Sequence, residues 1–400
     1  MKIVIVGSAH SVHIRKIADS LAERDHQVSI FSEESSLTES SPQVYSPAVK
    51  LFDKWPAGKI ARKISFLIKL NVYLLRTNAD IVWFVYASSY GRLTPKVFTF
   101  AKKVVSVWGS DILINSYKNA YTNKISRSLN KADLVFSTSE FLRTHTRRLT
   151  FAKMILTPYG PNDSFFSELP AIDDRSHKAL QVAKSFEKVI ICTKWLKSVY
   201  GIDILINAIA LDPSYFRSAN IGVLICGEGQ DSASFKELVE HGNLGDIIRF
   251  VGFQTENQVI SLLQNADIAV FPSRSESFGV SLLECFSQKV PVICSSAGGF
   301  NELSHGGNFA CMINSLEPAA YLFEIKKLLE NRPSQNIDSA HKFSKAFAWS
   351  KCMDHMDSAL KELALGGGNR KLQDFSDEGE FDRAVFIHCE PRIVDQNQTR

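Results

Sequence analysis

Cysteine is absent from the first 191 residues, and all seven cysteines lie at position 192 or later. Their number is odd, and no two have the C-x-x-C spacing. This pattern favours reduced thiols in a cytoplasm and argues against a disulfide framework or a zinc site. No D-x-D motif with acidic neighbours and no cluster of His and Cys appears either. We therefore expect no metal and no cofactor.

Long apolar runs are also absent. No run approaches the roughly 20 residues that span a bilayer. Only five residues separate Lys2 from Ser8, too few for the core of a signal peptide. These features predict a cytoplasmic protein. Its 400 residues, 45% of them hydrophobic, are enough for two domains that each bury a core.

Acidic residues are scarce in the first half of the chain. Residues 1–170 hold 23 Lys and Arg against 13 Asp and Glu, a net charge of +10, whereas the rest of the chain carries −6. A basic first half favours an anionic partner or surface. We expect no nucleic acid as partner, because basic runs interleaved with aromatic residues and zinc-finger spacings are both missing.

Strand-like and helical patterns alternate along both halves, which predicts parallel sheets with helices on both faces. We expect an α/β protein of two doubly wound, Rossmann-like domains facing across a cleft. Ligands in such folds bind outside the carboxyl ends of the strands. The predicted strands are residues 2–6, 28–31, 80–86, 104–108, 133–138 and 153–158 in the first half, and 189–193, 221–226, 247–253, 267–271 and 290–294 in the second.

The composition divides the chain into four segments. Residues 1–160 are the first predicted domain and residues 161–337 the second. A helical run follows over 338–365 and could return to the first domain. The polar tail, 366–400, has no assignment, and its strand-like stretch "AVFIHC" has no predicted place.

The first strand is followed by "GSAHSV", which has one glycine where a dinucleotide fingerprint needs three. The next glycine after Gly7 is Gly58. A dehydrogenase is therefore excluded. The glycine-rich turns lie in the second half instead, at "CGEGQD" and "SSAGGFNE".

Two glutamates, Glu276 and Glu284, lie eight positions apart on either side of Gly279, just after the predicted strand "ADIAVFP". One interpretation is a capping box from Ser273 to Glu276, with Glu284 on the exposed face of an amphipathic helix. The other is a ligand site, because a helix that begins at strand ends favours a diphosphate at its N-terminus. A carboxylate there can accept hydrogen bonds from a sugar diol, which offsets its desolvation.

The segment "PSRSESFGVSLLECFSQKVPVICSSAGGFNEL" closely resembles the E-x7-E region of retaining GT-B glycosyltransferases of family 4. The resemblance extends to "VLICGEGQD", "IIRFVGF" and "NADIAVFPS", and more loosely to "KIVIVGS", "VVSVWGSDI" and "ADLVFSTSEFL". It implies a GT-B fold whose first domain binds the acceptor and whose second binds a nucleotide-diphosphate sugar. It also implies sugar transfer with retention of anomeric configuration.

The resemblance assigns a donor site whose residues, apart from Gly7, lie in the second half of the chain. Glu276 is expected to contact hydroxyls of the donor sugar, and Glu284 the ribose. The backbone amides of Ser277, Phe278 and Gly279 are expected near the diphosphate. Gly252 and Phe253 are expected to border the base, and two further glycines, Gly227 and Gly7, complete the expected donor site. For Gly298 and Gly299 a tight turn explains the glycines as well as ligand contact does.

The sequence departs from the family pattern at two places. The loop "CTKWLKSVYG" has Tyr200 before its glycine where the family usually has lysine. Lys194 and Lys197 are therefore the catalytic cations expected at the leaving diphosphate, although Lys197 could equally be a solvated loop charge.

The second departure is Trp108, which stands where many members have a histidine that reaches the donor sugar. Trp108 cannot accept a proton, but its ring can stack on a sugar face. Asp111 and His13 are the other candidates for the acceptor side or cleft. A structural role is an open alternative for His13, and for His10 near it.

With the resemblance, these observations predict a metal-independent, retaining glycosyltransferase of the hexosyl type that builds a surface polysaccharide or glycolipid on a glycan or lipid-linked acceptor. The alternatives are a non-catalytic nucleotide-sugar binding protein and a GT-B phosphorylase, which would not need a ribose-binding Glu284.

Residues 54–76 form a basic stretch without any acidic residue, and its location could indicate where the acceptor is found. The apolar positions of this stretch recur at three- and four-residue steps, as in an amphipathic helix: Ile60, Ile64, Leu67, Ile68, Val72 and Leu75. One interpretation places this stripe against the sheet of the first domain. The other places the helix on an anionic membrane surface, as a peripheral contact at the inner face of the membrane.

Overall fold

The computed structural model describes residues 1–33, 49–52, 58–113, 119–167, 178–331 and 335–366. They divide into two compact units. Unit 1 is Met1–Tyr159 with residues 350–366, and unit 2 is Gly160–Trp349. Lys54 and nearly all of the polar tail, with its stretch "AVFIHC", lie outside the described residues.

Unit 1 is built on a parallel sheet with the strand order β3-β2-β1-β4-β5-β6-β7. Its central strands read "KIVIV" and "IVWFV", and β-branched and aromatic side chains suit a strand that is buried on both faces. The described strands are β1 Lys2–Val6, β2 Gln27–Phe31, β3 Val49–Phe52, β4 Ile81–Val85, β5 Lys102–Val107, β6 Leu134–Ser137 and β7 Met154–Leu156.

Helices of unit 1 follow the strands in the alternation that the sequence predicts. Ser11 caps the first of them by accepting a hydrogen bond from the Ile14 amide. The described helices before residue 160 are α1 Val12–Ala22, α2 Lys59–Thr77, α3 Ser110–Leu113, α4 Asn119–Leu129 and α5 Glu140–Arg147.

Helix α2 covers the sheet of unit 1, but not with the stripe named from the sequence. Phe66, Leu70 and Leu74 are buried in the core beside the strands. The stripe from Ile60 to Leu75 points the other way and is exposed, apart from the partly buried Leu67. The interpretation that seated this stripe on the sheet is therefore wrong, because a different face of the same helix fills that place.

Unit 2 has a second parallel sheet with the order β10-β9-β8-β11-β12-β13. The chain starts in the middle and builds outward in both directions, so its order reverses between β8 and β11. The described strands are β8 Lys188–Thr193, β9 Ile221–Cys226, β10 Ile248–Gly252, β11 Ile268–Phe271, β12 Val292–Ser295 and β13 Cys311–Ile313.

The helices of unit 2 include one with a full capping box, in which Thr255 and Gln258 bond each other's backbone amides. The described helices of this unit are α6 Lys178–Ala183, α7 Ile202–Ala210, α8 Pro213–Ser218, α9 Ser232–His241, α10 Glu256–Gln264, α11 Val280–Ser287, α12 Gly299–Leu303, α13 Pro318–Glu330 and α14 Ile337–Ser344.

The helical run predicted near the end of the chain is two helices, not one. A 3₁₀ turn over Lys345–Phe347 and the non-helical Ala348 separate α14 from α15, Trp349–Ala364. Helix α15 packs in unit 1, where Asp357 meets His26 at 2.6 Å in a buried pair. Arg24 adds an ion pair to Asp354 at 2.7 Å.

Among the described residues, no helix is both long and apolar enough to cross a membrane.

Candidate functional site

The carboxyl ends of β8 and β11 form the point in unit 2 where the strand order reverses. Lys194 follows β8 directly, and the loop with Glu276 follows β11. Loops on opposite sides of such a reversal leave a crevice between them, which is where α/β sheets bind ligands. Residues 82 positions apart in the chain thus meet at one place.

Lys194 and Glu276 form an ion pair, with Nζ 2.6 Å from Oε2 and side chains only 10% and 11% exposed. Rings of Tyr200, Phe271 and Phe300 lie within 6 Å of the ammonium. Burial, the largest single effect, lowers the pKa of Lys194. The charge and hydrogen bond of Glu276, with smaller contributions from Tyr200 and Cys192, together raise it above the usual value. The lysine is therefore a fixed positive charge at the strand ends.

The interpretation of Ser273 and Glu276 as a capping box is wrong. Helix α11 begins at Val280, and its N-cap is Gly279 with φ at 109°. Ser273 is fully buried, and its carbonyl oxygen accepts a hydrogen bond from Ser295. Residues 273–279 therefore form a loop ahead of the helix, and the Glu276 side chain does not cap it.

Helix α11 directs its N-terminus toward this loop, so its unpaired amides and dipole favour an anion there. Ser277 lies half-buried at this end, and Phe278 and Gly279 are buried. Glu284 lies in the second turn, half-buried between the fully buried Leu283 and Cys285. Burial, with the Glu284 charge as a second cause, raises the pKa of the Cys285 thiol well above its usual value.

Two glycines let backbone segments touch beneath the site. A side chain at Gly227, whose φ is 138°, would collide with the carbonyl oxygen of Lys194. A side chain at Gly299 would collide with the backbone of Phe278, and the Gly299 amide donates to the Glu276 carbonyl oxygen at 3.1 Å. Both glycines therefore support the loops that carry the ion pair.

The remaining candidates of unit 2 lie at the rim of the same sheet edge. Lys197 is exposed and precedes the 3₁₀ turn Ser198–Tyr200. Gly252 ends β10 with φ at 72° and open space above it, and Phe253 beside it is 67% exposed. Trp195, which sequence reasoning passed over, is 61% exposed directly after Lys194. Its signal was an aromatic residue immediately beyond the end of a buried strand.

Gly7 belongs to unit 1, where it follows the last residue of β1 and its amide donates to the Phe31 carbonyl oxygen at 3.0 Å. A side chain there would collide with Ile14. The glycine thus lets α1 pack closely against the strand end.

Trp108 stands at the end of β5 in a group of aromatic rings. The His13 and Tyr159 rings lie 5.6 and 5.7 Å from it, both edge to face. Its indole N–H is buried, and no acceptor among the described residues completes a hydrogen bond with it. Burial raises the pKa of the Tyr159 hydroxyl, and the nearby Trp108 indole counteracts part of this rise.

His13 remains exposed at its surface although neighbouring rings crowd it. Partial burial, and next the charge of Lys16, lowers the pKa of His13.

Asp111 is fully buried and holds the loop after β5. Its two carboxylate oxygens accept hydrogen bonds from the amides of Ala87, Trp108 and Gly109 at 2.8–3.1 Å. Burial raises the pKa of this carboxyl, and the backbone donors counteract part of the effect. The geometry makes Asp111 a positioning residue for Trp108.

A cavity of about 850 Å³ opens beside Trp108 within unit 1. Ser8 after β1, Tyr86 after β4 and Trp108 after β5 contribute to its lining. These are again the carboxyl ends of neighbouring strands, so unit 1 has its own ligand-sized space.

Comparison with known proteins identifies families for both units. The family "Glycosyl transferases group 1" matches residues 174–347, and "Glycosyl transferase 4-like" matches residues 2–139. An uncharacterised glycosyltransferase of Methanocaldococcus jannaschii is 27% identical over 41% of this chain and 45% of its own length. The matched segments span less than half the length of the first curated relatives.

Solved structures extend the likeness to nearly the whole chain. Sucrose-phosphate synthase from Thermosynechococcus elongatus has a TM-score of 0.74 at 18% identity, covering 92% of this chain and 100% of that one. Anabaena HepE in complex with UDP-glucose has a TM-score of 0.70 at 18% identity, covering 90% and 100%.

Two parallel-sheet α/β units with these neighbours define a protein of the GT-B fold. The chain belongs to the group 1 glycosyltransferases, the family-4 type that its E-x7-E region resembles.

Proposed function

We propose that this protein transfers a sugar from a nucleotide-diphosphate donor to a hydroxyl of a glycan or lipid-linked acceptor, with retention of configuration. The observation that carries the proposal is the buried pair of Lys194 and Glu276 at the strand reversal of unit 2, beside the N-terminus of α11. Its biological setting is the synthesis of a surface polysaccharide or glycolipid.

In the proposed reaction the bond between the anomeric carbon and the diphosphate oxygen breaks, and its electron pair leaves with the diphosphate. The acceptor oxygen forms the new bond to that carbon, and its proton passes to the leaving diphosphate oxygen. Lys194 and the helix N-terminus stabilise the charge that develops on the leaving group, so no metal is required. Glu276 holds hydroxyls of the transferred sugar.

The rest of the donor is assigned to neighbouring residues. Glu284 accepts hydrogen bonds from the ribose, and Gly252 and Phe253 border the base, where Trp195 offers a second exposed ring. Anabaena HepE, a structure of the same fold, is described in complex with UDP-glucose, which supports a nucleotide-sugar donor here. Unit 1 binds the acceptor, with Trp108 in the place of the usual histidine.

A non-catalytic nucleotide-sugar binding protein is the second candidate, favoured by Trp108 and by Tyr200 in place of lysine. The intact Lys194–Glu276 pair favours catalysis instead. Thermal-shift screening of UDP-, GDP-, TDP- and ADP-sugars identifies the donor, because a ligand of the folded state raises its stability by mass action.

Glu276→Gln is the matched test of catalysis. We expect its turnover to fall by about a thousandfold or more, with nucleotide binding retained because Glu276 serves the sugar. Turnover like that of the wild type would contradict the role of Glu276. Donor binding without transfer to any glycan or lipid-linked acceptor would favour the binding protein.

We also propose that unit 1 contacts the cytoplasmic leaflet of a membrane through α2. The exposed stripe of Ile60, Ile64 and Ile68 continues to Val72 and Leu75. Asn71, on the same helix, accepts a hydrogen bond from the Phe98 amide at 2.6 Å, and this bond anchors the loop of Phe98 beside α2. In that loop, the Phe98 and Phe100 side chains are 75% and 96% exposed. An apolar surface with basic neighbours and no acid on its helix suits an anionic bilayer.

A further inference from the structure

The cavity of unit 1 is strongly basic. Six cationic side chains line it against a single carboxylate, that of Glu33. They come from three separate elements, namely α2, the 3₁₀ segment Tyr90–Lys96 and α4: Arg62, Lys63, Arg92, Lys96, Lys124 and Arg127. Convergence of like charges from three elements on one space is unlike the scattered charges of an ordinary surface.

None of the six forms an ion pair with a carboxylate among the described residues. Within the described part of the chain no ion pair offsets their mutual repulsion, and an anion in the cavity would relieve it. Arg92 and Lys124 lie 5.6 and 5.8 Å from the Tyr121 ring, which holds two of the charges near each other.

The floor of the cavity suits a sugar or polyol. Tyr86 has φ at 73°, a conformation that bulky residues seldom adopt and that recurs at ligand sites. It contributes to the lining together with Ser8 and Trp108, which supply a hydroxyl and a ring face. The volume of about 850 Å³ is that of a site for a small molecule.

We propose that this cavity binds the phosphate or diphosphate of the acceptor, so that the acceptor is a phosphorylated or diphosphate-linked sugar or polyol and not a neutral glycan. The inference rests on the proposed function and specifies its acceptor. The cations hold the phosphate groups, and the floor residues hold the part that carries the hydroxyl.

Calorimetry with inorganic pyrophosphate tests the proposal on the full chain. All forms carry Lys194→Gln, which weakens the other expected diphosphate site. We expect the double variant Arg92→Gln with Arg127→Gln to bind pyrophosphate about tenfold or more weakly, because the N–H groups of each removed guanidinium donate to phosphate oxygens. Lys131→Gln with Arg147→Gln is the control: both are exposed cations of unit 1 outside the cavity lining, and affinity should stay within about twofold.

Two further probes distinguish the sources of the phosphate. If glucose 6-phosphate binds more tightly than pyrophosphate, with the same dependence on Arg92 and Arg127, the acceptor is soluble. If farnesyl diphosphate in detergent binds more tightly, the acceptor is lipid-linked. Either result supports the shared chemistry.

Equal pyrophosphate affinity in the cavity variant and its control would overturn the proposal, and so would a parent form that binds no pyrophosphate. These measurements involve no donor. A chain that binds pyrophosphate in the cavity but no nucleotide-sugar in unit 2 would contradict the proposed sugar transfer and leave the anion site standing.

Discussion

Single residues of the site can be tested separately because their partners differ. Removing one member of a buried ion pair leaves an unpaired charge, which costs roughly 3–5 kcal/mol of stability. Lys194 and Glu276 are therefore best replaced by neutral amides that keep a hydrogen-bonding group. The raised pKa of Lys194 means that the pair stabilises the fold fully below the usual lysine value of 10.5. That stability is lost only as pH rises through the folded pKa, so assays at neutral pH compare charged lysine with glutamine.

Lys194→Gln should weaken binding of a nucleoside diphosphate by about 1.5–3 kcal/mol, the range for a hydrogen bond to a charged group. Binding of the monophosphate should weaken much less, because the lysine is expected to face the second phosphate. Calorimetry on both nucleotides measures the difference. Lys197→Gln, an exposed lysine three residues further on, is the control. A loss that is the same for both nucleotides, or larger for the Lys197 variant, would move the phosphate contact away from Lys194.

Glu284→Gln should weaken nucleotide binding by about 1.5–3 kcal/mol, again because a charge-assisted hydrogen bond is lost. The 2′-deoxynucleotide provides the decisive comparison. If Glu284 binds the ribose, the wild type should discriminate between the two nucleotides and the variant should not, so the two changes are not additive. Unchanged discrimination in a folded variant would indicate that Glu284 serves only the helix.

Sequence reasoning located most of the candidate residues in unit 2 but not their contacts. Glu276 was singled out by its place after a predicted strand, and the family resemblance supplied its role and that of Lys194. Their direct pairing depends on which strands are neighbours. Ser273 looked like a cap because its spacing to Glu276 fits, yet φ above 100° at Gly279 delays the helix until Val280. Trp195 was missed because its one signal, an aromatic residue just beyond a buried strand, does not distinguish a ligand contact from an ordinary loop residue.

At the level of elements, α2 shows why periodicity alone could not orient a helix. Apolar residues occupy two of its faces, so the sequence permits either to meet the sheet. Phe66, Leu70 and Leu74 fill the core, and the isoleucine face remains outside.

Two variants of α2 test this assignment of its faces. Leu70→Ala should cost about 2–5 kcal/mol of unfolding free energy, since it leaves a cavity in a buried site. Ile68→Ala, two residues away and 58% exposed, should change it by less than about 0.5 kcal/mol. Urea unfolding of the two variants gives both values. A larger cost at Ile68 would reverse the faces.

Of the four edge strands, β7 and β10 were predicted from the sequence, but β3 and β13 were missed. β3 and β13 have four and three residues, too few to show an alternation. They form because a neighbouring strand offers a free row of backbone donors and acceptors, β2 for one and β12 for the other. The central strands were predicted because burial on both faces demands an unbroken apolar run.

Over the whole molecule, charge and exposed apolar surface coincide in the first half of the chain. That half carries +10 against −6 for the rest, and its helix α2 presents the exposed isoleucine stripe. Each cation near an anionic surface contributes about 1 kcal/mol, and burial of the stripe adds a contribution that salt does not screen. The chain should therefore sediment with anionic liposomes at low salt, less at high salt, and least with neutral liposomes.

Ile64→Ser with Ile68→Ser separates insertion of the stripe from simple charge attraction. These substitutions leave every charge in place but remove apolar surface, so binding should fall at both salt concentrations. Leu211→Ser with Phe323→Ser is the matched control, because both side chains are exposed apolar residues of unit 2. If the wild type stays in the supernatant with every liposome, unit 1 does not contact a membrane. If the two double variants bind alike, the attraction is electrostatic and the isoleucine stripe faces some other partner.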